Sequence, residues 1–323
     1  MAYAKNLTAG MIENIMKSLK RYRTPLLAVL ALGTVTALAQ KDVKEVTVHA
    51  DRPFPESVTS GSDGTLYVGS ILKNGVFRVL PGAATAEPWI AVAEKGVVLG
   101  VLADEASHTL WVCHDGPIGP KGPEGVAELM AFDLPSGRAK ASYPFPGSGG
   151  LCNDMVVGAN GDVFATDTFG GKIMKLAKGA KALTVWASDP KLMQADGIAF
   201  GEGALYVTTF ETSTLVRVAV KEDGSAGELH LIETARKIDH PDGLRSAGKN
   251  QFWMVEGAGR FDHIVVEGEK AQVHVIKEGL DGPTAVTLVD GTAWVLESKL
   301  HFMDSADAQK DPGVFKIYGY KVR

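Results

Sequence analysis

Four residues with oxygen-donor side chains recur at one point of a repeated sequence pattern: Glu56, Asn153, Asp196 and Asp242. Each stands directly before an apolar run, which leads through a small-residue turn to an aromatic residue. Carboxylate and amide oxygens without sulfur ligands favour a hard cation. Three carboxylates brought close together would repel one another strongly unless a cation neutralised them. The pattern therefore predicts a divalent metal site, with calcium as the first choice and magnesium, manganese or zinc as alternatives.

Two of these positions allow a simpler interpretation. Asp196 and Asp242 are each followed by glycine, and Asp-Gly pairs are ordinary turn residues. Both pairs, however, precede the apolar run at the same point of the pattern, which Glu56 and Asn153 also occupy. We therefore favour metal binding at all four positions.

The repeat itself is what would bring these residues together. We take the six copies to start at Glu56, Gly100, Asn153, Asp196, Asp242 and Pro283. The matching aromatic residues are Tyr67, Trp111, Phe164, Tyr206, Trp253 and Trp294. Spacings of roughly 40 to 50 residues are typical of β-propeller blades. In a closed ring, the first residue of every copy lies near one axis.

Each copy also has the pattern of four short strands. In the third copy, apolar segments at 155–157 and 163–166 flank Ala159-Asn160-Gly161, which is a hairpin signal. The 37 glycines argue against a helical solenoid. The sequence predicts an all-β protein, a six-bladed β-propeller with four-stranded antiparallel blades.

The last copy lacks a fourth strand before the C-terminus. Residues 44–49 alternate like a strand and precede the first copy, so we expect this N-terminal strand to complete the sixth blade and close the ring. Such closure would remove exposed sheet edges. A chain that begins at Asp51 should therefore be strongly destabilised.

The N-terminal segment has the features of a secretory signal. A basic stretch from Met16 to Arg23 precedes a short apolar run, and Ala37-Leu38-Ala39 fits a cleavage site before Gln40. We interpret 1–39 as a leader whose true start is Met16, and 40–323 as one propeller domain. The expected location is the periplasm or the exterior of a bacterial cell.

The net charge and the cysteine content indicate which binding partners and which redox state to expect. The formal net charge of -5 shows no basic stripe, which argues against nucleic-acid binding. We expect a small-molecule substrate, no membrane attachment after cleavage, and a monomer. Cys113 and Cys152 are the only cysteines. They allow either a disulfide, which export would permit, or two buried thiols.

The motifs at the copy starts resemble those of the gluconolactonase and regucalcin (senescence marker protein) family, which also includes luciferin-regenerating-enzyme-like proteins. They are Phe54-Pro55-Glu56, Asn153-Asp154, Asp196-Gly197-Ile198-Ala199-Phe200 and His240-Pro241-Asp242-Gly243-Leu244. The resemblance implies a six-bladed propeller in which Glu56, Asp196 and Asp242 hold the cation. It places Asn153 beside that cation, in contact with metal, water or substrate.

Two departures from the family pattern bear on the substrate. Asp196 replaces the usual asparagine and adds a negative charge to the site. Leu151 stands where the sugar-lactone enzymes have an arginine, and leucine cannot form the guanidinium fork that suits anionic or polyhydroxylated substrates. A less polar lactone or ester is therefore favoured over gluconolactone.

The predicted function is metal-dependent hydrolysis of a lactone or related ester. Asp242 and Glu56 are the candidate catalytic residues, with Asp242 as the base that activates water. Asn153, His114 and Asp167 are the candidate substrate contacts. The alternatives are a propeller that binds a ligand or protein without turnover, and a phosphotriesterase-like hydrolase.

Overall fold

The computed structural model of the protein describes residues 44–93, 95–119, 122–303 and 307–322. The predicted leader, its cleavage site and the proposed start at Met16 lie outside the described residues. Within the described part, the chain is all-β and has three short 3₁₀ helices: η1 (Glu105–Ser107), η2 (Pro190–Leu192) and η3 (Leu300–Met303). No helix there is both long and apolar enough to span a membrane.

Most strands fall into antiparallel sets of four, which we call quartets. Quartet 1 is β2 (Pro55–Ser60), β3 (Leu66–Ser70), β4 (Gly75–Val79) and β5 (Thr85–Ala91). Quartet 2 is β6 (Val97–Asp104), β7 (Thr109–Asp115), β10 (Glu128–Asp133) and β11 (Ala139–Pro144), with the two-residue strands β8 (Ile118–Gly119) and β9 (Gly122–Pro123) inserted. Quartet 3 is β12 (Cys152–Val157), β13 (Val163–Asp167), β14 (Lys172–Leu176) and β15 (Thr184–Ser188).

The remaining strands follow the same plan. Quartet 4 is β16 (Ala195–Gly201), β17 (Ala204–Thr209), β18 (Thr214–Val220) and β19 (Ala226–Thr234). Quartet 5 is β20 (Pro241–Gly248), β21 (Gln251–Glu256), β22 (Arg260–Glu267) and β23 (Lys270–Glu278). Quartet 6 is β24 (Pro283–Val289), β25 (Thr292–Glu297), β26 (Phe315–Lys321) and the N-terminal strand β1 (Lys44–Val48).

The N-terminal strand completes the last quartet as the sequence predicts. Strand β1 pairs antiparallel with β26, with Lys44 opposite Gly319 and Val48 opposite Phe315. It also pairs in parallel with β5 of quartet 1, and β19 pairs in parallel with β23. These two parallel junctions merge four quartets into two eight-stranded sheets, while quartets 2 and 3 form separate four-stranded sheets.

The first strands of the quartets contact one another in a cycle. Strand β2 contacts β6, and the series continues through β12, β16, β20 and β24 back to β2. The apolar core lies between successive quartets, where residues such as Val58, Val101 and Met155 are fully buried. This arrangement is propeller-like, and it brings the starts of six distant strands to one centre.

Two further features involve the chain near the end of β7. A disulfide joins Cys113 at the end of β7 to Cys152 at the start of β12, with 5.1 Å between the Cα atoms. The sequence allowed either a disulfide or two buried thiols, and the structure contains the disulfide. Strands β8 and β9 pair as a small hairpin in the insertion that follows Asp115.

Candidate metal centre

A β-bulge lies near the start of each first strand. After the first pair of residues in each hairpin, or the second pair in quartet 2, two residues of the first strand stand opposite one residue of the second strand. Such bulges redirect side chains and are common next to functional sites. The first of the two bulged residues in quartets 1 to 6 is Glu56, Leu99, Asn153, Asp196, Asp242 and Thr284.

This register corrects two of the predicted copy starts. Leu99, and not Gly100, is the equivalent of Glu56 in quartet 2, while Thr284 replaces Pro283 in quartet 6. The error comes from counting back from the aromatic residues. The hairpin between β6 and β7 holds the extra turn η1, whereas β24 and β25 are joined by a tight turn at Asp290-Gly291. The distance to the aromatic therefore varies by quartet.

Three of the bulged residues form a buried acidic cluster, here called the carboxylate trio. Glu56, Asp196 and Asp242 each place a carboxylate oxygen within 4.8 Å of the others. Their exposed fractions are 7%, 6% and 5%. These three residues therefore lie together at one site, as the sequence predicts.

Asn153 completes the ring of polar groups. Its side-chain Nδ2 donates a hydrogen bond to Oδ2 of Asp196 at 3.2 Å. Asn153 Oδ1 and Glu56 Oε2 are buried, and neither has a hydrogen-bond partner within the described residues. Buried polar atoms are rarely left unsatisfied in proteins, so two such oxygens at one centre indicate a missing partner.

Burial raises the pKa of all three carboxyl groups. For Glu56 and Asp242 the pKa lies well above the ordinary value, because of burial first and of the negative charge on Asp196 second. Burial also raises the pKa of Asp196 to about 7, although a hydrogen bond from Asp242 opposes the shift. Three charges at this centre are therefore unfavourable unless a positive charge joins them.

A buried ion pair lies next to the trio. Arg245 follows Asp242 by three residues on β20, and its guanidinium binds Asp154 with both nitrogens, Nη1 to Oδ2 at 2.6 Å and Nη2 to Oδ1 at 3.1 Å. Asp154 also accepts a hydrogen bond from the backbone N–H of Ile198. The charge of Arg245 lowers the pKa of Glu56, but burial and the acidic neighbours outweigh it.

These groups enclose a small cavity of about 10 Å³, which is room for one water-sized particle. Its wall is formed by Glu56, Ser57, Gly100, Asn153, Asp154, Asp196, Asp242, Gly243, Arg245, Thr284 and Ala285. The donor set suits a divalent cation, because three carboxylates and an amide oxygen are hard ligands and two of the oxygens lack partners. The residues present therefore fit the predicted metal.

The other two predicted substrate contacts lie away from this cavity. His114 stands on β7 opposite Val98 and Glu128, and it packs against the backbone at Gly96. Burial lowers its pKa. Asp167 Oδ1 accepts hydrogen bonds from the backbone N–H groups of Leu151 and Gly170, at 3.0 and 2.9 Å. Contact of either residue with a substrate remains a prediction.

Sequence reasoning missed the ion pair of Arg245 with Asp154. A signal was present, because the positions equivalent to Arg245 carry Thr59, Val156, Ala199 and Thr287, which are all uncharged. An arginine among small residues on an inner strand needs a buried partner. Asp154, one residue after Asn153, is the acidic group that supplies it.

Comparison with solved structures identifies the fold. A gluconolactonase from Xanthomonas campestris has a TM-score of 0.63 and 15% sequence identity, over 86% of this chain and 89% of that chain. Luciferin-regenerating enzyme has a TM-score of 0.64 and 12% identity, over 86% and 94%. Virginiamycin B lyase from Staphylococcus aureus has a TM-score of 0.57 and 13% identity, over 87% and 99%. The chain shares the fold of these enzymes.

The family resemblance read from the motifs is thereby confirmed at the level of the fold. No protein-family model matches the chain, and no curated protein matches it significantly. Since a gluconolactonase and a lyase are both similar at low identity, the gluconolactonase-like fold does not decide the reaction. The function must be argued from the residues of the site.

Proposed function

We propose that the protein is an exported, divalent-metal-dependent hydrolase of a lactone or related ester, built as a closed six-bladed propeller in which each quartet is one blade. The observation that carries this proposal is the buried carboxylate trio with two unpartnered oxygens, on Glu56 and Asn153. Calcium is the proposed cation, because hard oxygen ligands from several strands suit its flexible coordination.

The residues at the centre have distinct proposed roles. Glu56, Asp196 and Asp242 would hold the cation, with Asn153 beside them. When bound, such a cation supplies Lewis-acid stabilisation to a carbonyl oxygen that becomes negatively charged. Asn153 would orient the carbonyl group through its amide, which a hydrogen bond to Asp196 already holds in place.

Asp242 is the proposed general base. Its carboxyl group borders the cavity of the centre, and burial and Asp196 raise its pKa in the cation-free protein. It would take a proton from the water that adds to the carbonyl carbon. The carbon–oxygen bond of the ring then breaks, and Asp242 returns the proton to the departing alkoxide. Glu56 would assist by holding the attacking water.

Apolar residues beside the centre support a substrate without many charges. Leu99 occupies the bulge position of quartet 2, and Leu151 precedes Asn153 by two residues. Both leucines belong to one buried apolar cluster, together with Cys113 and Cys152. A lactone or ester with an apolar substituent could pack there, whereas a polyhydroxylated one would lose hydrogen bonds.

The disulfide supports the proposal of export. Disulfides persist in oxidising compartments and are rare in the cytosol, so Cys113–Cys152 agrees with a leader cleaved before Gln40. The periplasm or the cell exterior is accordingly the proposed location. A small-molecule substrate and a monomeric state remain predictions.

A substrate panel tests the function. Residues 40–323, stripped of metal, should hydrolyse some members of a lactone and aryl-ester panel after calcium is added. Asp242→Asn should reduce the rate by about 100-fold or more, as loss of a general base does. Asp262→Asn serves as the control, because Asp262 is also fully buried but lies outside the centre.

Other outcomes identify the alternatives. Turnover of aryl phosphotriesters alone would favour a phosphotriesterase. Cation and ligand binding without turnover, in calcium, magnesium, manganese and zinc, would favour a binding propeller. Equal rates for Asp242→Asn and the wild-type protein would contradict the proposed mechanism.

A further inference from the structure

Threonine hydroxyls fix the backbone of two carboxylate residues from the neighbouring quartet. Thr166 Oγ1 on β13 donates a hydrogen bond to the carbonyl oxygen of Asp196 at 2.8 Å. Thr208 Oγ1 on β17 donates one to the carbonyl oxygen of Asp242 at 2.7 Å. All four residues are buried, so these bonds are shielded from water. Each bond ties a bulged residue to the quartet before it.

Both threonines occupy the same structural position, the single residue that stands opposite the bulge. In quartets 1 to 6 this position is held by Gly69, Cys113, Thr166, Thr208, Val255 and Leu296. Cys113 is thus the equivalent of Thr166 and Thr208. It faces quartet 3, where the bulged residue is Asn153.

The disulfide takes the place of the threonine bond at this junction. Cys113 is bonded to Cys152, which directly precedes Asn153. Both cysteines are fully buried. The two quartets also approach closely here, since a Cβ atom added to Gly100 would lie 2.2 Å from the carbonyl oxygen of Asn153. The covalent link therefore fixes the backbone beside the asparagine of the site.

The bulged residues that are linked in this way are the polar residues of the proposed cation site. Glu56 is held from a different position, because the facing residue of quartet 6 is Leu296 and the bulged residue Thr284 itself donates through Oγ1 to the carbonyl oxygen of Glu56 at 2.6 Å. Where the next bulged residue is Leu99 or Thr284, the facing position is Gly69 or Val255, neither of which has a side chain that can donate a hydrogen bond. Within the described residues, links of this kind reach the backbone at the four polar residues of the centre, and none reaches the carbonyl oxygen of Leu99 or Thr284.

We propose that the Cys113–Cys152 disulfide is a positioning element of the cation site, which holds Asn153 as the threonines hold Asp196, Asp242 and Glu56. This inference rests on the proposed cation site. It assigns the disulfide a local role beyond the general one, in which a cross-link stabilises the fold by restricting the unfolded chain. Without the link, the backbone beside Asn153 keeps the hydrogen bond from the Cys152 N–H to Asp115 Oδ1 at 2.9 Å but loses its covalent tie to β7. Asn153 is then held less firmly relative to the trio, so cation affinity falls.

Two double variants separate the local role from the general one. Cys113→Ala/Cys152→Ala removes the link, whereas Cys113→Thr/Cys152→Ala also introduces the hydroxyl that the other junctions use. Both lose the cross-link and should show similarly lowered melting temperatures in chelator. Calcium titration by calorimetry should show about a tenfold weaker Kd for the alanine pair, the usual loss when a residue behind a metal ligand is removed. The threonine pair should recover most of that loss.

Hydrogen exchange supplies a readout that does not depend on metal. In the metal-free protein, amides of β12 should exchange faster in the alanine pair and regain protection in the threonine pair, while β21 stays unchanged. If the alanine pair does not fold, Cys113→Val/Cys152→Ala replaces it in both measurements, because valine has the shape of threonine without the hydroxyl. That variant should weaken calcium binding in the same way.

The outcomes distinguish this inference from the proposed function. If the wild-type protein binds none of calcium, magnesium, manganese and zinc, the cation site itself is wrong and the positioning role is lost with it. If the wild-type protein binds calcium and the alanine pair binds equally well, only the positioning role is overturned. Equal weakening in the alanine and threonine pairs would also overturn it.

Discussion

Two buried acidic clusters in this protein differ in the positive charges that accompany them. In quartet 5, Glu256 and Asp262 are fully buried, and one arginine nitrogen, Arg236 Nη2, binds both carboxylates. Arg260 lies 3.5 Å from Glu256 as well. We call this set the arginine-paired cluster. In the carboxylate trio, by contrast, the nearby Arg245 is engaged in a bidentate pair with Asp154.

The pKa values reflect this difference. Burial alone would raise the pKa of Glu256, but hydrogen bonds from Asp262 and Arg236 lower it below the ordinary value. The pKa of Asp262 is raised to about 8, by burial and by its hydrogen bond with Glu256, so the pair shares one proton. In the trio, all three values are raised. The chain thus supplies arginines to one buried acidic cluster, whereas Arg245 beside the trio is engaged by Asp154, and this difference supports the proposed cation.

The largest expected effect is that of calcium on the trio. With calcium at about 1,000 times its Kd, mass action stabilises the folded state by about 4 kcal/mol. For a domain of this size, that corresponds to roughly 10 °C in Tm. Thermal unfolding in chelator and in calcium measures the shift. Asp242→Asn should abolish most of it, and Asp262→Asn should keep it; equal Tm values with and without calcium would remove the distinction between the clusters.

A smaller effect is expected from Arg236→Met. This change leaves Glu256 buried without its main counter-charge, and breaking a buried pair in this way costs about 3 kcal/mol or more. Denaturant unfolding of the variant gives the free energy. Added calcium should stabilise the variant and the wild-type protein by the same amount, because the arginine-paired cluster takes no cation. A calcium-dependent rescue of Arg236→Met would show that the two clusters are not independent.

Asp196→Asn should weaken calcium binding while the fold is retained. The substitution preserves shape and one oxygen ligand but removes a negative charge next to the cation. Attraction at that distance is partly offset by desolvation, and we expect a loss of about 2 kcal/mol, or roughly 30-fold in Kd. Calorimetric titration decides the matter. An unchanged Kd would make Asp196 a turn residue and leave Glu56, Asn153 and Asp242 as the ligands.

The smallest effect concerns pH and the arginine-paired cluster. Because the pKa of Asp262 is raised to about 8 in the folded protein, the folded state binds more protons than the unfolded state above pH 4. Stability contributed by this group is therefore lost as pH rises, by about 1.4 kcal/mol between pH 7 and 9. In saturating calcium, Asp262→Asn should flatten that slope relative to wild type. Identical slopes would contradict the assigned shift.

Much of the fold was predictable because strand patterns are local. The two apolar segments of the third copy, 155–157 and 163–166, fall in β12 and β13, and the N-terminal strand pairs where the missing strand of the last copy required it. The trio was also predictable, since Glu56, Asp196 and Asp242 share a point in the repeat. The predicted copy starts in quartets 2 and 6 were wrong by one residue, because the length of a hairpin varies independently of the strand pattern.

Contacts between quartets were not predictable in the same way. Arg245 reaches Asp154 across 91 positions of sequence, so the repeat marks Arg245 as exceptional but does not identify its partner. The threonine bonds to the carbonyls of Asp196 and Asp242 depend on how closely neighbouring quartets approach. That separation is set by small residues such as Gly100 and Gly197, at which a Cβ atom would collide with the next strand.

The pairing of β1 with β26 gives the protein an unusual order of assembly. Strand β1 pairs antiparallel with β26, which lies more than 260 residues later in the chain, so this pair cannot form until β26 has been synthesised. Pairing between such distant segments also slows folding, because a long loop must close first. For the same reason Lys44 and Gly319 lie side by side, and a circular permutant that joins these ends and opens another hairpin would retain every other strand pair.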